Sequence, residues 1–176
     1  FSRTARVKLA AKQFIERYLG ANDVAAIVQT GGARATGQEF TSSRERLLRA
    51  VNNFMGQQER SGTLGRIDEY YRTLGTGATG RPRDPNEEIR VYKARNTYTV
   101  LKNVAEYMSG IRGRRKAVVL FSEGVDYDIY DIFATSGGAS AVLQASRDAV
   151  AAATRANVSI YGIDPRGLGA GGDDLI

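Results

Sequence analysis

The sequence contains no cysteine and no histidine. Without cysteine there is no disulfide and no thiolate metal site, and without histidine the commonest general base and transition-metal ligand is missing. Serine–histidine–aspartate catalysis, cysteine–histidine catalysis and zinc chemistry are therefore excluded within these 176 residues. The sequence also has no apolar run of the roughly 18 residues that a membrane-spanning helix needs, and its first residues lack the pattern of a signal peptide.

The composition predicts one domain with a hydrophobic core, because 42% of the residues are hydrophobic. Lysine and arginine number 25 against 19 aspartates and glutamates, which gives a net charge of +6. A solvated basic surface explains this excess, which favours acidic partners only weakly. The basic run 113–116 follows a predicted helix, where cations complement the helix dipole, and no nucleic-acid partner is predicted.

Amphipathic helices alternate with short apolar runs along the chain. The helical patterns cover Thr4–Leu19, a segment starting at Ser42, Thr63–Leu74, Asn86–Ile111 and Ser140–Ala156, and the apolar runs are 23–30, 116–121 and 158–163. Alternation of this kind predicts an α/β fold, a doubly wound and mainly parallel sheet with helices on both faces. Because the first helix has no strand before it, we also expect the first strand of that sheet to be missing.

Polar loops follow each of the three apolar runs. They contain Thr30–Gly32, Ser122–Asp126 and Asp164–Gly167, and only the middle one is acidic. In an open parallel sheet, ligands bind where the carboxyl ends of the strands meet. Carboxylate and hydroxyl oxygens at such a place suit a hard cation such as Mg²⁺. The alternative is an acidic turn that lies in water and binds nothing.

Three segments resemble the von Willebrand factor type A (VWA) domain. RKAVVLFSEGVDYD (115–128) resembles its strand that ends in Ser-Asp-Gly, whose aspartate belongs to a metal-ion-dependent adhesion site. VKLAAKQFIERYLGANDVAAIV (7–28) is similar to its first helix and second strand, and ANVSIYGIDPRG (156–167) to its last strand. Together with QEFTSSRERLLRAV (38–51), they resemble the bacterial VWA-related family of acidobacterial type, which occurs in secreted proteins.

The resemblance implies a VWA/Rossmann-like domain over residues 1–168, with an insertion at 63–86 and a flexible linker or tail at 169–176. It also implies a secreted or periplasmic location. In the family the metal is held by an Asp-x-Ser-x-Ser motif, which would lie before Phe1, by a threonine matched here by Thr97, and by the aspartate of Ser-Asp-Gly. Glu123 stands at that aspartate position, beside Ser122. The implied site is degenerate, and its Mg²⁺ is expected to be weakly bound or absent.

A binding function without catalysis follows from the resemblance. We expect a module for protein–protein interaction or adhesion. Its predicted partner-binding residues are Asp126, Tyr127, Asp128, Tyr130, Gly31, Gly32 and Asp164. One alternative is a Mg²⁺-dependent hydrolase or phosphoryl-transfer domain that uses Glu123 and Asp126. Another is a structural domain of a larger secreted protein. Neither the identity of the partner nor the oligomeric state can be predicted.

Overall fold

A computed structural model describes residues 3–30, 37–56, 62–74, 86–122, 124–125 and 138–165. Within these ranges the elements are α1 (Arg3–Tyr18), β1 (Ala25–Ile27), β2 (Gln38–Thr41), α2 (Arg44–Asn53), α3 (Gly62–Leu74), α4 (Glu87–Ser109), β3 (Lys116–Phe121), α5 (Gly138–Ala156) and β4 (Val158–Ile163). Every helix and apolar strand that the sequence pattern predicts is present, with boundaries that differ by a few residues.

The predicted doubly wound, mainly parallel sheet with helices on both faces is wrong. Among the described residues, β1 pairs antiparallel with β2, and β3 pairs parallel with β4 in a separate two-stranded sheet. A doubly wound sheet buries its strands on both faces, whereas β1 is only half-buried and the middle of β4 is exposed. Only ten residues separate Ile27 from Gln38, fewer than the roughly twelve or more that a crossover between parallel strands requires.

The chain divides into two compact units. Unit 1 comprises Phe1–Gln57, Val119–Glu123 and Gly162–Ile176, and unit 2 comprises Gln58–Val118 and Gly124–Tyr161. The predicted single domain over 1–168 stays a prediction, and the predicted tail 169–176 lies outside the described residues.

The core of unit 1 forms where α1 and α2 pack together and α2 covers the β1–β2 pair. Its buried members are Ile15, Leu19, Leu47 and Val51, with Ala11, Ala25, Ile27 and Leu48 packed against them. Polar contacts fix the same helices, since Arg44 Nη2 donates to the carbonyl of Leu19 at 2.5 Å and Lys8 Nζ to that of Asn52 at 2.6 Å. Burial of one helix face thus sets the rotation of α2.

The start of α2 lies one residue later than the sequence suggests. Ser42 with Glu45 has the spacing of a capping box, but Ser43 is the N-cap residue, and its Oγ accepts a hydrogen bond from the amide of Arg46 at 3.4 Å. The hydroxyl of Thr41 accepts a hydrogen bond from the Ser43 amide at 3.1 Å, which links the end of β2 to this cap. Serine at the N-cap satisfies one of the free amide groups of the first turn.

Unit 2 is built on the packing of α4 against α5. The buried residues of these two helices are mostly alanine: Ala94 and Ala105 in α4, and Ala149, Ala152, Ala153 and Ala156 in α5. Small side chains let two helices approach closely. Asn157, with φ of 53°, then turns the chain from α5 into β4, in the left-handed conformation that asparagine tolerates. Lys116 Nζ donates to the carbonyl of Met108 at 3.2 Å, tying β3 to the end of α4.

Candidate functional site

The carboxyl ends of β3 and β4 lie side by side, as the sequence predicts for two of its three loops. The amide of Ser122 donates to the carbonyl of Ile163 at 3.1 Å, so Ser122 and Asp164 follow neighbouring strand ends. Ser122 is half-buried and Asp164 is exposed. The third predicted loop follows β1, which belongs to the other sheet. The parallel β3–β4 pair therefore places Ser122 and Asp164, the first residues of two of the predicted loops, at neighbouring strand ends.

The predicted metal ligands are Glu123, Thr97 and Ser122. Thr97 lies inside α4, where its hydroxyl donates to the carbonyl of Lys93 at 3.2 Å. Threonines within helices commonly make this bond to the preceding turn. Thr97 belongs to unit 2 and Ser122 to unit 1. Glu123 lies outside the described residues.

The chemistry of this ligand set fits Mg²⁺ poorly. Mg²⁺ prefers near-octahedral oxygen coordination and gives up its waters reluctantly, so it is usually held by carboxylates. Thr97 and Ser122 offer only neutral hydroxyls, and the Thr97 hydroxyl already donates within its own helix. In the part of the chain that the structure describes, no three acidic, histidine or cysteine side chains form a group that would hold a metal.

Mg²⁺ or Mn²⁺ titrated into the chain is expected to bind no more tightly than about millimolar, because one glutamate with neutral hydroxyls displaces few metal-bound waters. Isothermal titration calorimetry measures this directly, with Glu123→Gln as the matched variant. A micromolar site that Glu123→Gln abolishes would contradict the prediction and establish a working metal site.

Most of the predicted partner contacts fall on residues that the structure does not describe. Asp126, Tyr127, Asp128, Tyr130, Gly31 and Gly32 lie outside the described residues, and Asp164 is the exposed member that the structure places. All seven contacts remain predictions, because exposure of Asp164 does not test whether it touches a partner.

Helix α3 presents an apolar surface that the sequence analysis did not identify as a site. Five of its large apolar side chains are exposed, and four of these form what we call the α3 stripe: Leu64, Ile67, Tyr71 and Leu74. Their spacing of three, four and three residues places them along one side of the helix. Tyr71 is 69% exposed, and even the least exposed member, Ile67, retains 43% of its surface. Periodicity identified the shared face but carries no information on whether another element covers it.

The polar side of α3 is internally paired. Arg72 forms an ion pair with Glu69 one turn earlier, and the hydroxyl of Thr73 donates to the carbonyls of Glu69 and Tyr70 at 3.0 and 2.9 Å. Tyr70 and Tyr71 contact each other edge to face, with ring centroids 5.8 Å apart. Aromatic pairs favour this arrangement. Tyr70 thus extends the α3 stripe through its contact with Tyr71, and the Arg72–Glu69 ion pair lies on another side of the helix.

No protein-family model matches the chain, and neither the curated proteins nor the solved structures include one with significant similarity to it. The resemblance to the VWA-related family therefore stays a prediction. Within the described ranges, the helices are too short or too polar to cross a membrane.

Proposed function

We propose that this chain is a non-catalytic protein-binding module. The observation that supports the proposal is the α3 stripe, in which apolar side chains at positions 64, 67, 71 and 74 are exposed along one helix face. Contiguous apolar surface on a water-facing helix is typical of an interaction site. Tyrosine is enriched at such sites because a large apolar ring carries a polar hydroxyl.

The partner that fits this surface is an amphipathic helix of another protein. The three-four-three spacing of the α3 stripe is the spacing of the a and d positions of a coiled coil, where each apolar side chain inserts between residues of the facing helix. Arg72 and Glu69 pair with each other, so these two charges cancel. The exposed Asp68 borders the stripe, and apolar packing along the stripe would provide most of the affinity.

The acidic residues after β3 remain part of the proposal as a second contact region, with adhesion as the broader role and a secreted or periplasmic location. The support for them is the sequence resemblance alone. Two alternatives stand beside this proposal: an enzyme using Glu123 and Asp126, and a structural domain of a larger secreted protein.

Crosslinking from the centre of the α3 stripe tests the proposed function. A photo-reactive phenylalanine analogue at position 71 is expected to crosslink to a helical segment of a different protein, and mass spectrometry identifies that segment. With the identified protein then purified, Ile67→Glu combined with Tyr71→Glu is expected to weaken its binding at least about tenfold, because charges would be buried in an apolar contact.

Helix α4 offers a matched control for that experiment. Ile89 and Tyr92 are also exposed, at 52% and 71%, and lie on a different helix of the same unit. Ile89→Glu combined with Tyr92→Glu adds the same charges to the same residue types and should leave binding unchanged. Equal losses from both double variants, or crosslinks from position 71 only to second copies of the chain, would overturn the assignment of the α3 stripe.

A further inference from the structure

A cleft of about 410 Å³ opens in unit 1 between the start of β2 and the side of α2 that faces away from the core. It lies on different elements from the α3 stripe and from the loop that follows β3. The described residues that line it are Gly37, Gln38, Arg46, Arg49, Ala50 and Asn53. Two arginines and two residues with side-chain amides thus line one depression that is open to solvent.

The fold holds the α2 side of this cleft in a fixed orientation. Arg46, Arg49 and Asn53 are spaced by three and four residues, so they share one face of the helix. The burial of Leu47 and Val51 turns a different face of α2 into the core. The arginines therefore face the cleft as a consequence of the packing of unit 1.

The β2 side is equally constrained, through Gly37. A Cβ atom built on Gly37 would lie 2.7 Å from the carbonyl oxygen of Ile27, closer than real side chains approach a backbone oxygen. Only glycine fits there without displacing β1. The strand therefore begins directly against β1, and the position of Gln38 beside the cleft follows from that contact.

The charge of the cleft favours an acidic ligand. Arg49 forms an exposed ion pair with Glu45, with 2.5 Å between Nη2 and Oε1, and exposed pairs of this kind exchange partners at little cost. Arg46 has no acidic partner among the residues that the structure describes. A guanidinium group donates two parallel hydrogen bonds to a carboxylate, which fixes its orientation as well as binding it.

The amides distinguish a peptide from a simple anion. Gln38 and Asn53 each carry both a donor and an acceptor, which matches the N–H and C=O groups of a peptide backbone. A phosphate group offers essentially acceptors, so it would use only the N–H groups of the two amides. The Nε2 of Gln38 already donates to the carbonyl of Glu39 at 3.0 Å, which orients this side chain. The methyl group of Ala50 adds a small apolar contact to the wall.

We propose that this cleft binds an acidic segment of a protein partner, with one aspartate or glutamate side chain on Arg46 and the peptide backbone on Gln38 and Asn53. The inference goes beyond the function assigned to the α3 stripe, because it names a second surface and a different ligand chemistry. The small volume limits the direct contact to a few residues of the bound segment.

Fluorescence anisotropy with the whole chain tests this inference. The probe is a short fluorescein-labelled peptide of glutamate, serine and glycine, and the reference probe replaces each glutamate with glutamine. Arg46→Glu is expected to weaken binding of the glutamate peptide at least about tenfold, because it removes a charge-assisted pair and adds repulsion. The glutamine peptide should bind at least about tenfold more weakly than the glutamate peptide to the unaltered chain.

Arg95→Glu is the matched control, since Arg95 is an exposed arginine of α4 outside the cleft and the change in net charge is identical. It should leave peptide affinity within about twofold, and circular dichroism checks that both variants stay folded. Equal weakening by Arg46→Glu and Arg95→Glu would show only non-specific attraction to a basic chain and overturn the inference. Displacement of the peptide by millimolar inorganic phosphate would also overturn the inference. Tighter binding of a single-stranded RNA than of the peptide would overturn it as well.

The proposal for the α3 stripe and the proposal for the cleft can be tested independently of each other. Ile67→Glu combined with Tyr71→Glu changes the α3 stripe and should leave the affinity for the acidic peptide unaltered. Arg46→Glu should likewise leave the crosslink from position 71 in place. Loss of peptide binding in the α3 variant would contradict the independence of the two surfaces and the assignment of the ligand to the cleft.

Discussion

Replacing Leu47 with alanine is expected to lower the free energy of unfolding of unit 1 by about 2–5 kcal/mol. Leu47 is completely buried and belongs to the cluster that joins α1, α2 and the β1–β2 pair. Removing its three outer carbon atoms loses the free energy gained by transferring them from water to the protein interior. It also leaves a cavity that the surrounding side chains fill only partly. A loss of this size is a large fraction of the stability of a typical domain.

Leu9→Ala is the matched control for this change. Leu9 belongs to α1 of the same unit but is 54% exposed, so the same truncation removes little buried surface. Such surface changes usually alter stability by less than about 0.5 kcal/mol. Hydrogen exchange resolved by peptide should show faster exchange in α1 and α2 for Leu47→Ala only. Indistinguishable exchange in the two variants would mean that Leu47 is not a core residue.

The helices could be predicted because each depends on nearby residues. In α2, Leu47 and Val51 recur at helical spacing, and both are buried. The turn before β1 is equally local, since the Asp23 carboxylate accepts a hydrogen bond from the Gly20 amide at 2.9 Å. Periodicity, capping residues and turn residues act over a few positions, so one sequence suffices to read them.

The pairing of the strands could not be predicted from the same information. Ala25–Ile27 and Lys116–Phe121 are both short apolar runs, yet one pairs antiparallel with Gln38–Thr41 and the other parallel with Val158–Ile163. Strand pairing is decided by long-range hydrogen bonds and by the faces that other elements cover. An apolar run specifies a strand without specifying its neighbour, so assuming one continuous sheet led to the wrong fold class.

The buried face of α4 shows the same difficulty within a helix. The large apolar residues predict a stripe of six side chains, of which Met108 is buried but three are exposed: Ile89, Tyr92 and Tyr107. The other two predicted members are Val100 and Val104, which are half-buried. The face that packs holds Ala94, Leu101, Ala105 and Met108, together with the buried Arg90. Size and hydropathy misplace part of the buried face because α5 presents small residues, against which small residues pack most closely. The same limitation applies to the α3 stripe and to the cleft beside Arg46, whose exposure depends on the packing of whole elements.

The packing of α4 against α5 through alanines predicts a large loss of stability when one of these alanines is enlarged. Replacing Ala152 with leucine is expected to lower the free energy of unfolding by about 1–3 kcal/mol, the usual cost of overfilling a packed interior. Ala152 is 2% exposed and lies on the face of α5 that carries Ala149, Ala153 and Ala156. Three added carbons fit there only if the helices separate or the new side chain leaves its preferred rotamer.

Val150→Leu is the control, because it introduces the same side chain on the same helix at a position that is 64% exposed. It should change stability by less than about 0.5 kcal/mol. Urea unfolding followed by circular dichroism should give a lower midpoint for Ala152→Leu alone, with faster hydrogen exchange in α4 as well as α5, because both helices lose the contact. Equal midpoints for the two leucine variants would show that α5 does not pack closely through its alanines. Faster exchange confined to α5 would mean that Ala152 acts on its own helix without supporting α4.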